Sequence, residues 1–353
     1  MDLFVTVLVS ILVFGFLIFI HEFGHYITAR LFNVSITEFS IGMGPKLMWY
    51  DSKKTGIRYS LAMLPIGGFV AMVGEDEESD DPNAFNKKPA WQRFIITAAG
   101  ATVNIIAGFI AMFIIVGAIK IGDTTVRGFI SEEDMLSMGE VDLSYRSDSQ
   151  LKVGDVVVAV EGKSVVIADE LSYEIMRHGN KPIDLTVVRD GETVELIDVT
   201  FPKMIDQGQE FGVMDFGVYA IKKDLGNFFS ISFRKTALVL RMCWESIADL
   251  ITGRYTVAAV SGPVGISGAI GDAVSQGWLS VLNIALIISI NLGFMNLLPI
   301  PALDGGRLIV IIAEMITRKK MPARIENAVN SIGLAVLLLL SFIILIKDVF
   351  TLF

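Results

Sequence analysis

"LFVTVLVSILVFGFLIFIHEFGHYITAR", residues 3–30, joins a long apolar run to a small cluster of ionisable side chains. In the run before the cluster, only a threonine, a serine and a glycine are not plainly apolar. About 20 helical residues cross a bilayer core that is about 30 Å thick. The stretch therefore predicts a membrane-spanning helix that carries His21, Glu22 and His25 near one end.

The rest of the chain has the same apolar character. Its 353 residues are 53% hydrophobic and 19% charged, with a mean hydropathy of +0.60, which is oily for a soluble protein of this size. Further apolar runs at about 94–119, 279–298 and 331–350 are long enough to span a bilayer. We therefore expect a polytopic α-helical membrane protein with four transmembrane helices.

A cleaved signal peptide is the alternative interpretation of the first run. Asp2 is the only early charge, no basic segment precedes the run, and no small-x-small cleavage site follows it. These features favour a retained helix.

Cysteine and charge content narrow the chemistry. Cys243 is the only cysteine, so neither an intrachain disulfide nor a thiolate zinc cluster can form, and a metal site must use His, Asp or Glu. The net charge is −9 without a basic stripe, and the acidic run at 75–81 is typical of a solvated loop. Nucleic acid is not an expected partner.

Basic residues in short loops predict the orientation of the spans. Eight Lys or Arg residues lie between the first and second predicted spans, and five lie between the third and fourth. Both loops are therefore predicted to be cytoplasmic, with both termini and the long 120–278 segment outside. The first and third spans then run in the same direction, so their inner ends can meet.

A metal site is predicted where those inner ends meet. His21 and His25 share one helix face at i and i+4, with Glu22 beside them. The third span ends in "NLLPIPALDGG", residues 296–306, and catalytic zinc commonly takes a carboxylate as its third ligand. We expect Asp304 to be that ligand. Chance occurrence of the pattern is the alternative, but each charge inside a span costs at least ~2.5 kcal/mol.

The residue types indicate hydrolysis. A carboxylate beside a zinc site can accept the proton of a water molecule and pass it to a leaving amine, which is the role predicted for Glu22. Pro299 and Pro301 cannot continue a helix, and two glycines follow Asp304, so the chain is predicted to unwind around that residue. Asn296 can offer its amide to an extended substrate, or it can make an interhelical hydrogen bond.

With both motifs described, the chain resembles the site-2 proteases, specifically the bacterial RseP-like intramembrane zinc metalloproteases. "HEFGH" matches the family pattern HExxH, and "NLLPIPALDG" matches NxxPxPxLDG in full. The resemblance implies a Zn²⁺ cofactor and the following roles: metal ligands His21, His25 and Asp304, catalytic Glu22, and substrate-handling Asn296, Pro299 and Pro301.

Two further segments carry the resemblance. "SIGMGPKL" (40–47) and "YSLAMLPIGGFVAMVGE" (59–75) resemble the family's GxGP and PxGGxV segments, which form a β element that dips into the membrane. The resemblance implies that Gly67 and Gly68 contact substrate there, where a peptide could add as a strand. An ordinary cytoplasmic hairpin is the alternative.

The second span departs from the family pattern. The chain reads "AAGATVN" at 98–104, where many relatives have Ala-Gly-Pro before the asparagine. We expect a difference in helix packing there and no effect on the ligands.

Residues 121–221 change to short β-rich runs with turn residues. "IDLTVVRDGETVELIDVTF" (183–201) alternates apolar and polar residues about Asp190-Gly191, which predicts a hairpin. "LKVGDVVVAVEGKSV" (151–165) resembles a PDZ segment, and a short helix is expected at 168–178. We predict an extracytoplasmic PDZ-like α+β domain that binds extended peptides or acts as a size filter, with His178 at its surface.

The predicted domains are 1–120 with the first two spans, 121–221 as the PDZ-like domain, 222–278 as an extracytoplasmic segment, and 279–353 with the last two spans. Within the third of these, the amphipathic stretch 224–253 is expected along the outer interface. Residues 259–278 contain a segment that resembles the family's SGPxGI motif.

The function implied is an intramembrane zinc endopeptidase of the plasma membrane, with its site toward the cytoplasm. Its expected partners are membrane lipid and single-span proteins such as anti-sigma factors or signal peptide remnants, and the oligomeric state is left open. The alternatives are a non-catalytic zinc-containing adaptor that uses its PDZ domain, and a metal transporter. Glu22 argues against both, because neither needs a base beside the metal.

Overall fold

The computed structural model describes residues 3–75, 77–137, 139–206, 209–254 and 261–350. The first two residues of the segment resembling SGPxGI, 259 and 260, lie outside this part of the chain. The helices are α1 (Leu3–Leu31), α2 (Ala90–Ala118), α3 (Glu132–Ser137), α4 (Ala168–His178), α5 (Leu225–Thr252), α6 (Pro263–Gln276), α7 (Trp278–Leu297), α8 (Asp304–Thr317) and α9 (Ala323–Phe350). The strands are β1 (Ile36–Asp51), β2 (Arg58–Met72), β3 (Gly122–Phe129), β4 (Val141–Asp142), β5 (Val156–Val160), β6 (Lys163–Ser164), β7 (Ile183–Arg189), β8 (Glu192–Val199), β9 (Lys203–Asp206), β10 (Gln209–Gly212) and β11 (Phe216–Ala220).

Four helices among the described residues are long and apolar enough to cross a membrane: Phe4–Leu31, Ala90–Ala118, Trp278–Leu297 and Ile325–Asp348. They confirm the four predicted spans, and the largest difference is at the start of the last one. That helix begins with polar residues, including Asn327 and Asn330. Their backbone is helical, but their low hydropathy kept them out of the predicted span. The fold is that of a polytopic membrane protein with a separate α+β region.

The chain divides into two compact units, of which the first comprises Met1–Met112 and Val239–Phe353. In this unit β1 and β2 form an antiparallel two-stranded sheet with several register irregularities, paired from Ile36↔Met72 to Asp51↔Arg58. The sheet packs against α1. A buried core cluster joins the sheet, α1 and α2, and consists of Ala29, Val34, Ile36, Phe39, Ile57, Val70, Phe85 and Ile96.

The segment after α7 differs from the prediction. The chain leaves the helix at Leu298, runs irregularly to Leu303, and enters α8 at Asp304, so the irregular part ends before the aspartate. The two glycines after Asp304 do not break the helix but let it pack closely. A Cβ at Gly305 would lie 2.5 Å from the carbonyl carbon of Leu297, and one at Gly306 would lie 2.5 Å from the oxygen of Ile300.

The second unit comprises Phe113–Leu238 and contains the α+β region. Its larger sheet has the strand order β11-β3-β5-β7-β8, with β6 paired to β5, and β10-β9-β4 form a smaller sheet. The predicted hairpin is confirmed, because β7 and β8 close at Arg189↔Glu192 around Asp190 (φ 51°) and Gly191 (φ 85°). Two positive φ angles define the turn type that suits a two-residue hairpin loop.

The predicted short helix is also present as α4, and the core of the second unit lies between the sheet and this helix. Its largest fully buried side chains include Phe201, Phe216, Leu151, Leu171 and Ile175. The alternating apolar positions of β7 supply Ile183, Leu185 and Val187 to the same core. The PDZ-like assignment and the extracytoplasmic location of this unit stay predictions.

Candidate metal centre

The first unit brings His21, His25 and Asp304 together. Asp304 Oδ2 lies 3.2 Å from His21 Nε2 and 3.3 Å from His25 Nε2, and the two Nε2 atoms are 3.3 Å apart. One ligand atom from each residue lies within 4.8 Å of the others. Two of these residues share a face of α1, and the third begins α8, so the geometry depends on packing between segments distant in sequence.

The chemistry of these donors fits zinc. Two imidazoles and one carboxylate, with a coordination position left open, form a common set for catalytic Zn²⁺. His21 is 9% exposed and His25 is 8% exposed. Although Asp304 Oδ2 lies 3.2 and 3.3 Å from the two Nε2 atoms, this buried oxygen accepts no hydrogen bond in the described part of the chain. Since a buried carboxylate oxygen normally has a partner, a bound cation would satisfy it.

Helix α2 contacts both histidines. His25 Nδ1 donates to the carbonyl oxygen of Ile96 over 2.8 Å, and the Asn104 amide lies 3.3 Å from His21 Nδ1. At Gly100 the absence of a side chain makes room for the His25 ring, since a Cβ there would lie 2.8 Å from His25 Cδ2. No local sequence pattern predicted these contacts. The motif around Gly100 and Asn104 was noticed only for its departure from the family pattern.

Glu22 lines a cavity of about 640 Å³ together with the three candidate ligands. One wall of this cavity consists of consecutive β2 residues from Gly68 to Met72. Gly68 allows the strand to approach α1, because a Cβ there would lie 2.8 Å from Glu22 Cγ and 2.8 Å from the oxygen of Ser40. The candidate base, the candidate ligands and a strand edge therefore share one cavity.

The other predicted substrate-handling residues are not among the described residues that line this cavity: Gly67, Asn296, Pro299 and Pro301. Gly67 has a φ of 76° and packs near Met43. Pro301 packs against Gly333 of α9, where a Cβ would lie 2.5 Å from Pro301 Cβ. Their substrate contacts stay predictions.

Two charged residues that line the cavity, Glu75 and Arg307, were not predicted from the sequence. Arg307 lies one turn after Asp304 on α8 and forms an ion pair with Glu75, which follows β2. Arg307 Nε also lies 3.6 Å from Glu326 at the start of α9. The spacing of three residues from Asp304 is a signal that could have indicated Arg307, since i and i+3 share a helix face.

His178 is partly exposed, with 24% of its side chain accessible, so it lies at the surface of the second unit without being fully solvated. It is half-buried on α4, and its Nε2 lies 3.4 Å from the buried Glu174 carboxylate. Residues four apart on a helix are neighbours, so Glu174 draws the imidazole against the helix. His178 is not in the candidate metal group found among the described residues.

Transmembrane helices combined with a buried His-His-Asp set and an adjacent glutamate define a membrane-embedded metal-dependent hydrolase. The sequence comparisons give its family. The model of peptidase family M50 matches residues 9–340, so the chain belongs to that family, the site-2 proteases, and is an intramembrane zinc metalloprotease.

Similar proteins match over nearly their full length. A candidate zinc metalloprotease of Clostridium acetobutylicum is 34% identical over 366 residues, which cover 98% of both chains. One from Fusobacterium nucleatum is 33% identical over 351 residues, covering 99% of both. The regulator of sigma-W protease RasP of Bacillus subtilis is 28% identical over 430 residues, also with 99% of both chains covered.

Proposed function

We propose that this zinc metalloprotease hydrolyses peptide bonds within or near the transmembrane segment of single-span membrane proteins. The observation that carries the proposal is the cavity in which Glu22, the His21-His25-Asp304 group and the β2 edge lie together. A metal site alone would serve transport or structure. A carboxylate that is not in the ligand group, next to a strand edge, serves peptide hydrolysis.

In the proposed mechanism, the three ligands hold Zn²⁺, which supplies Lewis-acid polarisation of a carbonyl and acidifies water. Glu22 accepts the proton of the attacking water molecule and delivers it to the leaving amine nitrogen. Because water attacks the carbonyl carbon directly, no covalent enzyme intermediate forms. Glu22 acts first as a base and then as an acid.

Substrate binding by strand addition is supported by the hairpin. The second half of β2, from Gly68 to Met72, pairs with the start of β1 on one edge, and among the described strands none pairs with its other edge; these same residues line the cavity. A peptide that adds along this edge is extended, with its backbone exposed to attack. In this proposal Gly67 and Gly68 contact the peptide, as the resemblance implies, and Asn296 contacts its backbone.

The loop charges support a site that faces the cytoplasm, and the second unit would then be extracytoplasmic. A PDZ-like domain there would bind extended peptides or exclude substrates with bulky outer domains. The relative in Bacillus subtilis is named as a regulator of sigma-W protease. We therefore propose anti-sigma factors, and by the same chemistry remnant signal peptides, as substrates in the plasma membrane.

The test compares wild type with Glu22→Gln, both reconstituted in lipid with Zn²⁺ and a tagged single-span substrate. We expect the variant to keep its metal and lose cleavage by at least about 100-fold, since general acid–base catalysis contributes about 10²–10⁴-fold. Asp304→Ala should lower the bound zinc. Equal cleavage by Glu22→Gln and wild type would remove Glu22 from the mechanism.

The same measurements distinguish the alternatives. An adaptor would hold zinc and cleave no substrate in either form. A transporter would move zinc across the vesicle membrane, and Glu22→Gln would leave its metal ligands intact.

A further inference from the structure

We propose that α2 sets the geometry of all three candidate metal ligands, with Asn104 and Arg93 as positioning residues. The inference rests on the metal centre described under the proposed function. Arg93, Ile96, Gly100 and Asn104 follow one another at intervals of three and four residues, so they form one stripe along the helix. At ~1.5 Å per residue the stripe is about 16 Å long.

The middle of the stripe, Ile96 and Gly100, orients His25. The Ile96 carbonyl accepts a hydrogen bond from His25 Nδ1, which leaves His25 Nε2 free to face the metal position. Gly100 receives the His25 ring. A ligating histidine nearly always donates its other ring N–H to an acceptor, which fixes its tautomer and ring orientation.

Asn104 supplies the corresponding acceptor for His21. His21 Nε2 faces the metal position beside Asp304, and a nitrogen that binds a metal carries no proton, so in the metal-bound form the ring proton belongs on Nδ1 and the group opposite Nδ1 must accept it. The fully buried Asn104 side chain is that group: its Nδ2 lies 3.3 Å from Nδ1, and its buried Oδ1 has no partner among the described residues. Turning the amide by 180° brings Oδ1 to His21 Nδ1, which converts this contact into the required hydrogen bond.

The other end of the stripe anchors the helix that carries the third ligand. Arg93 Nη2 donates to Glu314 Oε1 of α8 over 2.6 Å, and Arg93 Nε donates to the Lys88 carbonyl. The Arg93 and Glu314 side chains are 10% and 13% exposed. Glu314 lies ten residues after Asp304, so this pair fixes α8 at the far end from the ligand. A partly desolvated, charge-assisted hydrogen bond is strong and directional.

Zinc affinity tests the role of Asn104, measured by competition with a chelator on the full chain in detergent. Asn104→Leu removes the acceptor, and outer-shell substitutions typically weaken metal binding about 10–100-fold. Asn104→Asp keeps an acceptor, so we expect an affinity within about threefold of wild type. Cobalt substitution gives a second readout, because its absorption spectrum reports ligand geometry independently of cleavage.

Charge exchange tests the role of Arg93. Arg93→Glu and Glu314→Arg each place like charges together and should weaken zinc binding by about tenfold or more, while the double exchange should recover most of the loss. The matched control exchanges Asp51 and Arg58, an exposed ion pair of the hairpin in the same unit. Because like charges could impair folding, Glu314→Gln is a milder variant, which keeps a hydrogen-bond acceptor and should shift the cobalt spectrum less than Glu314→Arg.

Wild type and His21→Ala are measured first. If wild type holds one zinc that His21→Ala loses, the metal centre stands, and the remaining variants test only the role of α2. This inference is then wrong if Asn104→Leu and both single charge reversals have the same zinc affinity and cobalt spectrum as wild type. If wild type binds no zinc, the proposed function fails together with it.

Discussion

Replacing Gly100 by alanine would test how tightly α2 holds the metal centre. The added Cβ would overlap Nε2 of His25 and lie 2.8 Å from Cδ2 and from Cε1, whereas ordinary van der Waals contact begins at 3.4 Å. Clearing the two carbon atoms takes a shift of about 0.6 Å, the difference between these two distances, and Nε2 lies closer still, so the ring must retreat by more than that, roughly 1 Å. His25 cannot move freely, because its Nδ1 is bonded to the Ile96 carbonyl over 2.8 Å.

The expected effects differ for stability and for activity. Overpacking costs about 1–3 kcal/mol, and alanine for glycine inside a helix gains about 1 kcal/mol, so the metal-free protein should lose no more than about 2 kcal/mol. Misplacement of a catalytic group by about 1 Å can cost about 100-fold in rate, and zinc affinity should fall about tenfold or more. Chelator competition and cleavage of a single-span substrate measure the two losses.

Gly15→Ala is the matched control, because it also adds one methyl group to a predicted spanning helix. No atom of the residues that the structure describes lies within 4 Å of the position its Cβ would take. We expect wild-type zinc binding and cleavage from this variant. If Gly100→Ala matched Gly15→Ala in both measurements, contacts with α2 would not limit the position of His25.

Three further predictions concern the second unit. Burial acts to raise the pKa of Asp155, but hydrogen bonds from Arg189 and from a backbone amide outweigh it and hold that pKa below its usual range. A depressed native pKa stabilises the fold above the unfolded pKa of about 4, and this contribution is lost as pH falls through the native value. Arg189→Met removes the main cause of the shift, so the melting temperatures at pH 3 and pH 6 should differ less in this variant than in wild type. Gly191→Val forces a β-branched residue to a φ of 85° and should cost about 1–2 kcal/mol in denaturant unfolding, whereas Gly191→Asn should cost less. Phe216→Ala removes a fully buried ring packed against Phe129 and should cost about 3–5 kcal/mol, measured as lost hydrogen-exchange protection of β3 and β11.

Local patterns predicted much of the fold. Apolar run length gave the four spans, and period-two alternation about Asp190-Gly191 gave the β7–β8 hairpin. These features depend on the hydrophobicity and turn preferences of short segments, which a single sequence displays. Helix α8 was not predicted, because the prolines before it and the glycines within it are residues that usually end a helix. The structure uses those glycines for close packing instead.

The candidate site was predicted in part. The spacing of His21 and His25 needs only the geometry of one helix. The contacts of Arg93 with Glu314 and of Arg307 with Glu75 each join residues more than 200 positions apart. No local pattern shows which of many charged residues will pair, because the pairing depends on how helices pack.

The sequence by itself determined that this chain crosses the membrane and that one helix face carries two imidazoles with a carboxylate beside them. The hydrophobicity of a segment and the periodicity of its helix depend on that segment alone, so the sequence shows both. Only the tertiary structure decided that Asp304 lies close to those imidazoles. It also decided that α2 contacts both histidines and forms an ion pair with α8. Those distances arise from packing between segments, where a glycine without a side chain and a buried ion pair decide how closely two helices approach.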